Sequence, residues 1–199
     1  DFYTDTHQVN EDVFAYSNGS GESRALVVYN NKFSSTQGWI HSSVGFLNKT
    51  QGRIESRLLH EGLNLSSEPG RFIIFKDKTS NLEYIRRSDE IRQSGLYFEL
   101  NAYEHHVFTE FREVEDNVYG QFAQLTKYLN GGGVPSIEEA LQELMLSPIF
   151  NPFKALVNSE HLQALYQARL QSKHSKLDAA LMWEHEEKFL QFLTSITQH

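Results

Sequence analysis

Cysteine is absent from this 199-residue chain, which excludes disulfides, thiolate nucleophiles and Cys-ligated zinc. The same absence fits a reducing, cytoplasmic setting. Long apolar runs are missing too: no stretch is long enough to span a bilayer, so no membrane partner is expected. Basic residues are outnumbered, 18 Lys and Arg against 26 Asp and Glu, giving a net charge of −8. That balance argues against nucleic acid, whose partners carry a basic footprint. Arg86 and Arg87 form only a small local basic patch. There is no starting Met; the opening Asp-Phe-Tyr-Thr reads as a chain entered midway.

Signatures of chemistry are equally scarce. Gly131-Gly132-Gly133 does not follow the spacing of a phosphate loop, and a helix end followed by a new helix start explains it. Glu184-His185-Glu186-Glu187 has Phe189 where a zincin needs its second His. No GxSxG elbow surrounds Ser42 or Ser43, although His41 lies beside them. His105 and His106 are neighbours on an expected strand, so they point to opposite faces and do not share a metal. Glu113, Glu115 and Asp116 read as capping and solvated charges rather than a glycosidase pair. No metal, cofactor or catalytic residue is therefore assigned. A complete enzyme would need a pocket joining distant residues such as His60, His105 and Glu99.

What the chain does have is apolar and aromatic content, 39% and 13%, enough to bury a core. Val13–Tyr16 and Ala25–Tyr29 flank the turn-forming Ser17–Glu22, a hairpin signal. Trp39–Leu47 is expected as another strand, with a turn at Asn48–Gly52. Leu58, Leu59, Leu63 and Leu65 suit a short helix ending near Gly62. Phe72–Phe75, Leu82–Ile85, Leu96–Leu100 and Tyr103–Val114 complete the strands, with a helical turn capped by Ser88 and stopped by Gly95.

After Val114 the periodicity becomes helical. Asp116 is placed to cap a helix striped by Val118, Phe122, Leu125 and Leu129. Ser136 and Glu139 form a capping box, Asn151-Pro152 opens a third helix, and Leu162–Leu170 makes a fourth. Lys176–Ile196 forms the last, with Leu177, Leu181, Phe189, Phe192 and Ile196 inward. The fold class expected is α+β: an antiparallel β-sandwich-like domain over 1–115, then a helical extension over 116–199. The sequons at Asn18, Asn48 and Asn64 read as turns.

Aromatic residues crowd the β part. Tyr29, Phe33 and Trp39, flanked by Asn30, Asn31, Lys32 and Gln37, suit a carbohydrate-binding surface, although strand and core packing favour the same residue types.

Two segments carry a resemblance. Val9-Asn10-Glu11-Asp12-Val13-Phe14-Ala15-Tyr16-Ser17-Asn18 and Arg24-Ala25-Leu26-Val27-Val28-Tyr29-Asn30-Asn31 resemble the stretch following the catalytic barrel in α-amylase-type glycoside hydrolases (family 13). Gly95–Phe108 is similar to the closing strands of that C-terminal β-domain, and Leu82–Arg86 looks like a bacterial branch carrying a helical tail. The resemblance covers Phe2 to Val114, and more loosely the helices to Val157. It implies a parent enzyme, bacterial and cytoplasmic with export left open, that acts on α-glucans or α-glucosides. The parent's catalytic (β/α)8 barrel would then be this segment's partner. None of the barrel's motifs occurs here, so the expected role is a non-catalytic, supporting C-terminal domain. A free-standing carbohydrate-binding module and a helical protein-interaction unit are the alternatives.

Overall fold

A computed structural model describes residues 1–20, 23–171 and 179–198. The fold is α+β, built on antiparallel sheets. The chain divides into two compact units, Asp1–Leu141 and Gln142–His199. Strands β1 (Phe2–Thr4), β4 (Thr36–Ile40) and β9 (Leu96–Leu100) make a three-stranded sheet in the order β1-β4-β9. Strands β2 (Val13–Ser20), β3 (Ser23–Asn30), β10 (His105–Glu115), β7 (Arg71–Asp77) and β8 (Glu83–Arg87) make a five-stranded one, ordered β2-β3-β10-β7-β8. A small hairpin, β5 (Phe46–Asn48) with β6 (Arg53–Glu55), stands apart.

The two larger sheets share one core. Phe2, Ile40, Leu96, Phe98 and Leu100 from the three-stranded sheet are buried with Leu26, Val28, Ile73, Phe75, Phe108 and Phe111 from the other. Two short helices, α1 (Leu59–Gly62) and α2 (Ser88–Ser94), add Leu59 and Ile91. Inward residues alternate with outward ones, as a one-sided antiparallel strand requires. The run Phe72-Ile73-Ile74-Phe75 breaks that alternation, with all four side chains buried. Its strand is covered on both faces. The second face meets α3 (Gln121–Leu129), where the Phe72 and Phe122 rings lie 6.1 Å apart and Leu125 is fully buried.

Several expectations are corrected by local physics. The strands of the first hairpin run on through Ser20 and from Ser23, so Ser17–Ser20 is ladder rather than turn; Gly21 and Glu22 lie outside the described residues. Trp39–Leu47 is not one strand: β4 ends at Ile40 and β5 begins at Phe46. Ser88 does not cap α2, because its hydroxyl donates instead to the carbonyls of Glu68 and Arg71 at 2.7 and 3.0 Å. Asp116 is not the N-cap of α3, a position that Gly120 holds, but its carboxylate accepts from the amides of Phe122 and Ala123 at 2.8 and 3.1 Å. These are two of the orphan donors of the first turn. Val118 stays 94% exposed and takes no part in that helix's apolar face.

Helix α4 (Ile137–Val157) passes through Pro148 and Pro152 without a break, where a new helix was expected at Pro152. In the second unit, Leu156 and His161 are buried. Helices α5 (Ser159–Gln171) and α6 (Ala179–Thr197) follow. Phe153 packs on Phe192, with ring centroids 5.3 Å apart. Phe189 and Ile196 are 45% and 47% exposed, so α6 turns Phe192 rather than these two toward its neighbours. Lys176 and Leu177 fall outside the described residues.

Candidate functional site

The strand order puts β9 and β8 at the edges of their sheets, with β8 bridged at Glu83 by Val134, and a groove of about 1170 Å³ opens along them. Cross-strand register builds its aromatic wall. Trp39 stands opposite both Tyr3 and Tyr97, so the three share the outer face of the three-stranded sheet. The Trp39 and Tyr97 rings lie 5.0 Å apart at an interplanar angle of 59°, a tilted pair rather than a flat platform. Gln37 pairs with Glu99 on the same face, and its amide donates to Asp5 at 2.5 Å. The Tyr97 hydroxyl is held above its ordinary pKa by desolvation and by the Asp5 and Glu99 carboxylates.

The opposite wall comes from β8 and the end of α3. Asn130 closes that helix in a left-handed conformation (φ 44°), and Gly131 follows at φ 86°. Arg86 clasps this loop from β8, donating to the Gly131 carbonyl at 2.8 Å while lying over the Tyr84 ring. Burial lowers the pKa of its guanidinium, and no ion pair among the described residues involves it. Gly133 is required here by space, since a Cβ would meet the Tyr84 ring at 2.7 Å. The glycine run is therefore a helix end packed on a strand.

At the groove's end His106 turns inward from β10, its Nδ1 2.9 Å from the buried Asp77 carboxylate and its Nε2 3.6 Å from Glu104. Burial alone would raise the Asp77 carboxyl. Hydrogen bonds from His106, Ser80 and Thr79 overcome that and hold it at about 2. Glu90 and Glu99 face the groove with no side-chain hydrogen bond or ion pair among the described residues.

The three residues expected to bind carbohydrate separate. Trp39 lines the groove. Tyr29 lies on the outer face of the five-stranded sheet, opposite Phe14 and His105. Phe33 projects from a loop, 83% exposed, with the Tyr103 ring 6.1 Å away. Tyr97 is one more aromatic of the β part in the sequence and is not singled out there as a site residue, because its link to Trp39 is a cross-strand register that no local pattern announces.

Other candidate residues are spent on structure. His41 Nε2 sits 3.2 Å from the Arg92 carbonyl, and Ser43 Oγ donates to Val44 and accepts from the Arg57 amide. Glu113 accepts from the Ser66 amide and pairs with Arg24 and Arg71. Of His60, His105 and Glu99, only Glu99 lines the groove. In the second unit His161 Nε2 lies 3.1 Å from His185 Nδ1, and Lys188 Nζ lies 3.2 Å from His161 Nδ1. An ammonium only donates, so His161 accepts at Nδ1 and donates from Nε2, which saturates the ring. Among the described residues no group of three or more His, Asp or Glu side chains is placed to hold a metal ion, and no helix is long and apolar enough to cross a membrane. Compared with protein-family models, curated protein sequences and solved structures, the chain matches none.

Proposed function

We propose that the chain is a non-catalytic C-terminal domain of an α-amylase-like glycoside hydrolase, and that it supports the parent's catalytic barrel. The observation that carries this reading is the outer face of β2, β3 and β10. Phe14 and Tyr16 are 51% and 61% exposed there. Register places them beside Tyr29, Val27 and Val107 on one surface. The solvent face of an antiparallel sheet is ordinarily polar, whereas a contiguous aromatic face marks a surface built to be covered. At the β7–β8 end of the same sheet, α3 already does that covering; at the β2–β3 end no described element of the same unit does. The residues bearing the family resemblance, Val13–Tyr16 and Ala25–Tyr29, are the ones that build this face.

The test is binding of a hydrophobic fluorescent dye, comparing the chain with a Phe14→Ser/Tyr16→Ser variant. Strong dye binding, lost in the variant at unchanged melting temperature, supports a docking face. Dye binding that is weak, or that the variant leaves intact, removes the support.

A further inference from the structure

We infer that the groove between the β9 and β8 edges is a binding site for a neutral oligosaccharide, with Trp39, Tyr97, Glu99 and Glu90 as its principal contacts. Its Trp39–Tyr97 wall stands on the three-stranded sheet and its other wall at the β8 edge, away from the Phe14–Tyr16 face at the β2–β3 end, so it is independent of barrel docking. Only the choice of an α-glucan as the saccharide rests on the reading above.

Size comes first. At about 1170 Å³ the groove exceeds the usual range for a single small ligand, about 300–1000 Å³, and it follows a strand edge. An elongated occupant fits it better than a compact one.

Charge narrows the class. Glu90, Glu99 and Glu104 line the groove against the single guanidinium of Arg86. A phosphorylated or acidic ligand would meet an excess of carboxylates. The glycine run beside Arg86 is occupied in closing α3.

The unspent hydrogen-bonding groups then point to hydroxyls. Among the described residues the Glu90 and Glu99 carboxylates accept no hydrogen bond, although Glu90 feels the charges of Arg86 and Arg87, and a carboxylate can receive two vicinal hydroxyls at once. Glu104 is held in place by the Asn101 amide and side chain at 2.6 and 2.9 Å, so its orientation is fixed in advance. Trp39 and Tyr97 supply faces for the apolar C–H side of a sugar ring, and their 59° tilt suits a chain that turns between consecutive rings. Leu96, Phe98 and Leu100 are already buried in the core, so β9 offers few free pockets for an added peptide strand.

The experiment is titration calorimetry on the full chain with maltoheptaose, cellohexaose and an extended poly-alanine-rich peptide, alongside amide chemical-shift mapping. Maltoheptaose should bind and shift the amides of Gly131 to Gly133. Trp39→Ala should weaken binding at least tenfold. Because Trp39 is half-buried and its loss can disturb β4, the exposed Glu99→Gln serves as the second variant and should weaken binding severalfold at unchanged melting temperature. Phe14→Ser should leave binding intact. Preference for cellohexaose through the same residues would uphold the saccharide site and count against the α-amylase reading. Binding of the peptide alone, or saccharide binding indifferent to both Trp39→Ala and Glu99→Gln, overturns the inference.

Discussion

The carboxylate of Asp77 is fully excluded from solvent, yet it lies 2.9 Å from Nδ1 of His106 on the neighbouring strand. Thr79, Ser80 and Val107 donate to the same carboxylate, so one side chain closes the β7–β8 hairpin and ties it to β10. A buried charge is tolerated only when its acceptor capacity is filled in this way.

Asp77→Asn should therefore lower stability by about 2–3 kcal/mol, since an amide presents a donor to groups that are themselves donors. The pH dependence has a definite sign. The carboxyl is depressed from 3.8 to about 2 in the folded chain. Its contribution is present above its unfolded value and is lost as pH falls toward the folded one. Urea denaturation should show a constant gap between the two proteins from about pH 7 to about pH 5, narrowing below about pH 4. A gap that widened on acidification would contradict this assignment.

Gly38 and Gly70 test space against backbone conformation. A Cβ on Gly38 would meet the Tyr3 carbonyl oxygen at 2.1 Å and the Phe2 ring at 2.8 Å, so β1 must move away. Gly70 has nothing within 4 Å but sits at φ +83°. Gly38→Ala should cost about 3 kcal/mol by overpacking, and Gly70→Ala about 1 kcal/mol by backbone strain. Thermal melts of the two variants decide whether strand packing at β1 is as tight as the geometry indicates.

Glu110 occupies the bulge where β10 shifts register between Thr109 and Arg112, at φ 55°. The left-handed conformation suits glycine. Its side chain pairs with Lys78, but both are about half exposed, and such pairs contribute little. Glu110→Gly should raise stability by about 0.5–1 kcal/mol, while Glu110→Val should lower it by at least as much. Equal effects from the two would show that the ion pair, not the backbone, governs the position.

How much of this could be read in advance depends on how local the cause is. Phe72–Phe75 and Leu96–Leu100 declare themselves because apolar, β-forming side chains sit together between turn residues. The β6 strand, Arg53–Glu55, escapes such reading because it is short, with Ile54 76% exposed. Ser88 has the right chemistry for a cap, but its hydroxyl is drawn away by two carbonyls more distant in sequence. The candidate site follows the same division. Trp39 is conspicuous as one of two tryptophans. Its partners Tyr97, Glu99 and Arg86 are gathered by sheet register and strand order, which are tertiary facts. Tyr29 and Phe33 share Trp39's local composition but not its surface.

The continuity of α4 through Pro148 has a specific cause. A proline in a helix cannot donate to the carbonyl four residues before it, here that of Leu144. The Ser147 hydroxyl donates to that carbonyl at 2.8 Å and supplies the missing bond. Ser147→Ala should thus cost about 1 kcal/mol, the value of one net hydrogen bond left unmade. Pro148→Ala should restore the backbone donor and stabilise the helix by about 1–3 kcal/mol. In the double variant the serine should no longer matter, because the carbonyl already has its backbone partner. A double-mutant cycle read by chemical denaturation should show a coupling near 1 kcal/mol between these adjacent residues. Simple additivity would mean that the hydroxyl does not sustain the helix past the proline.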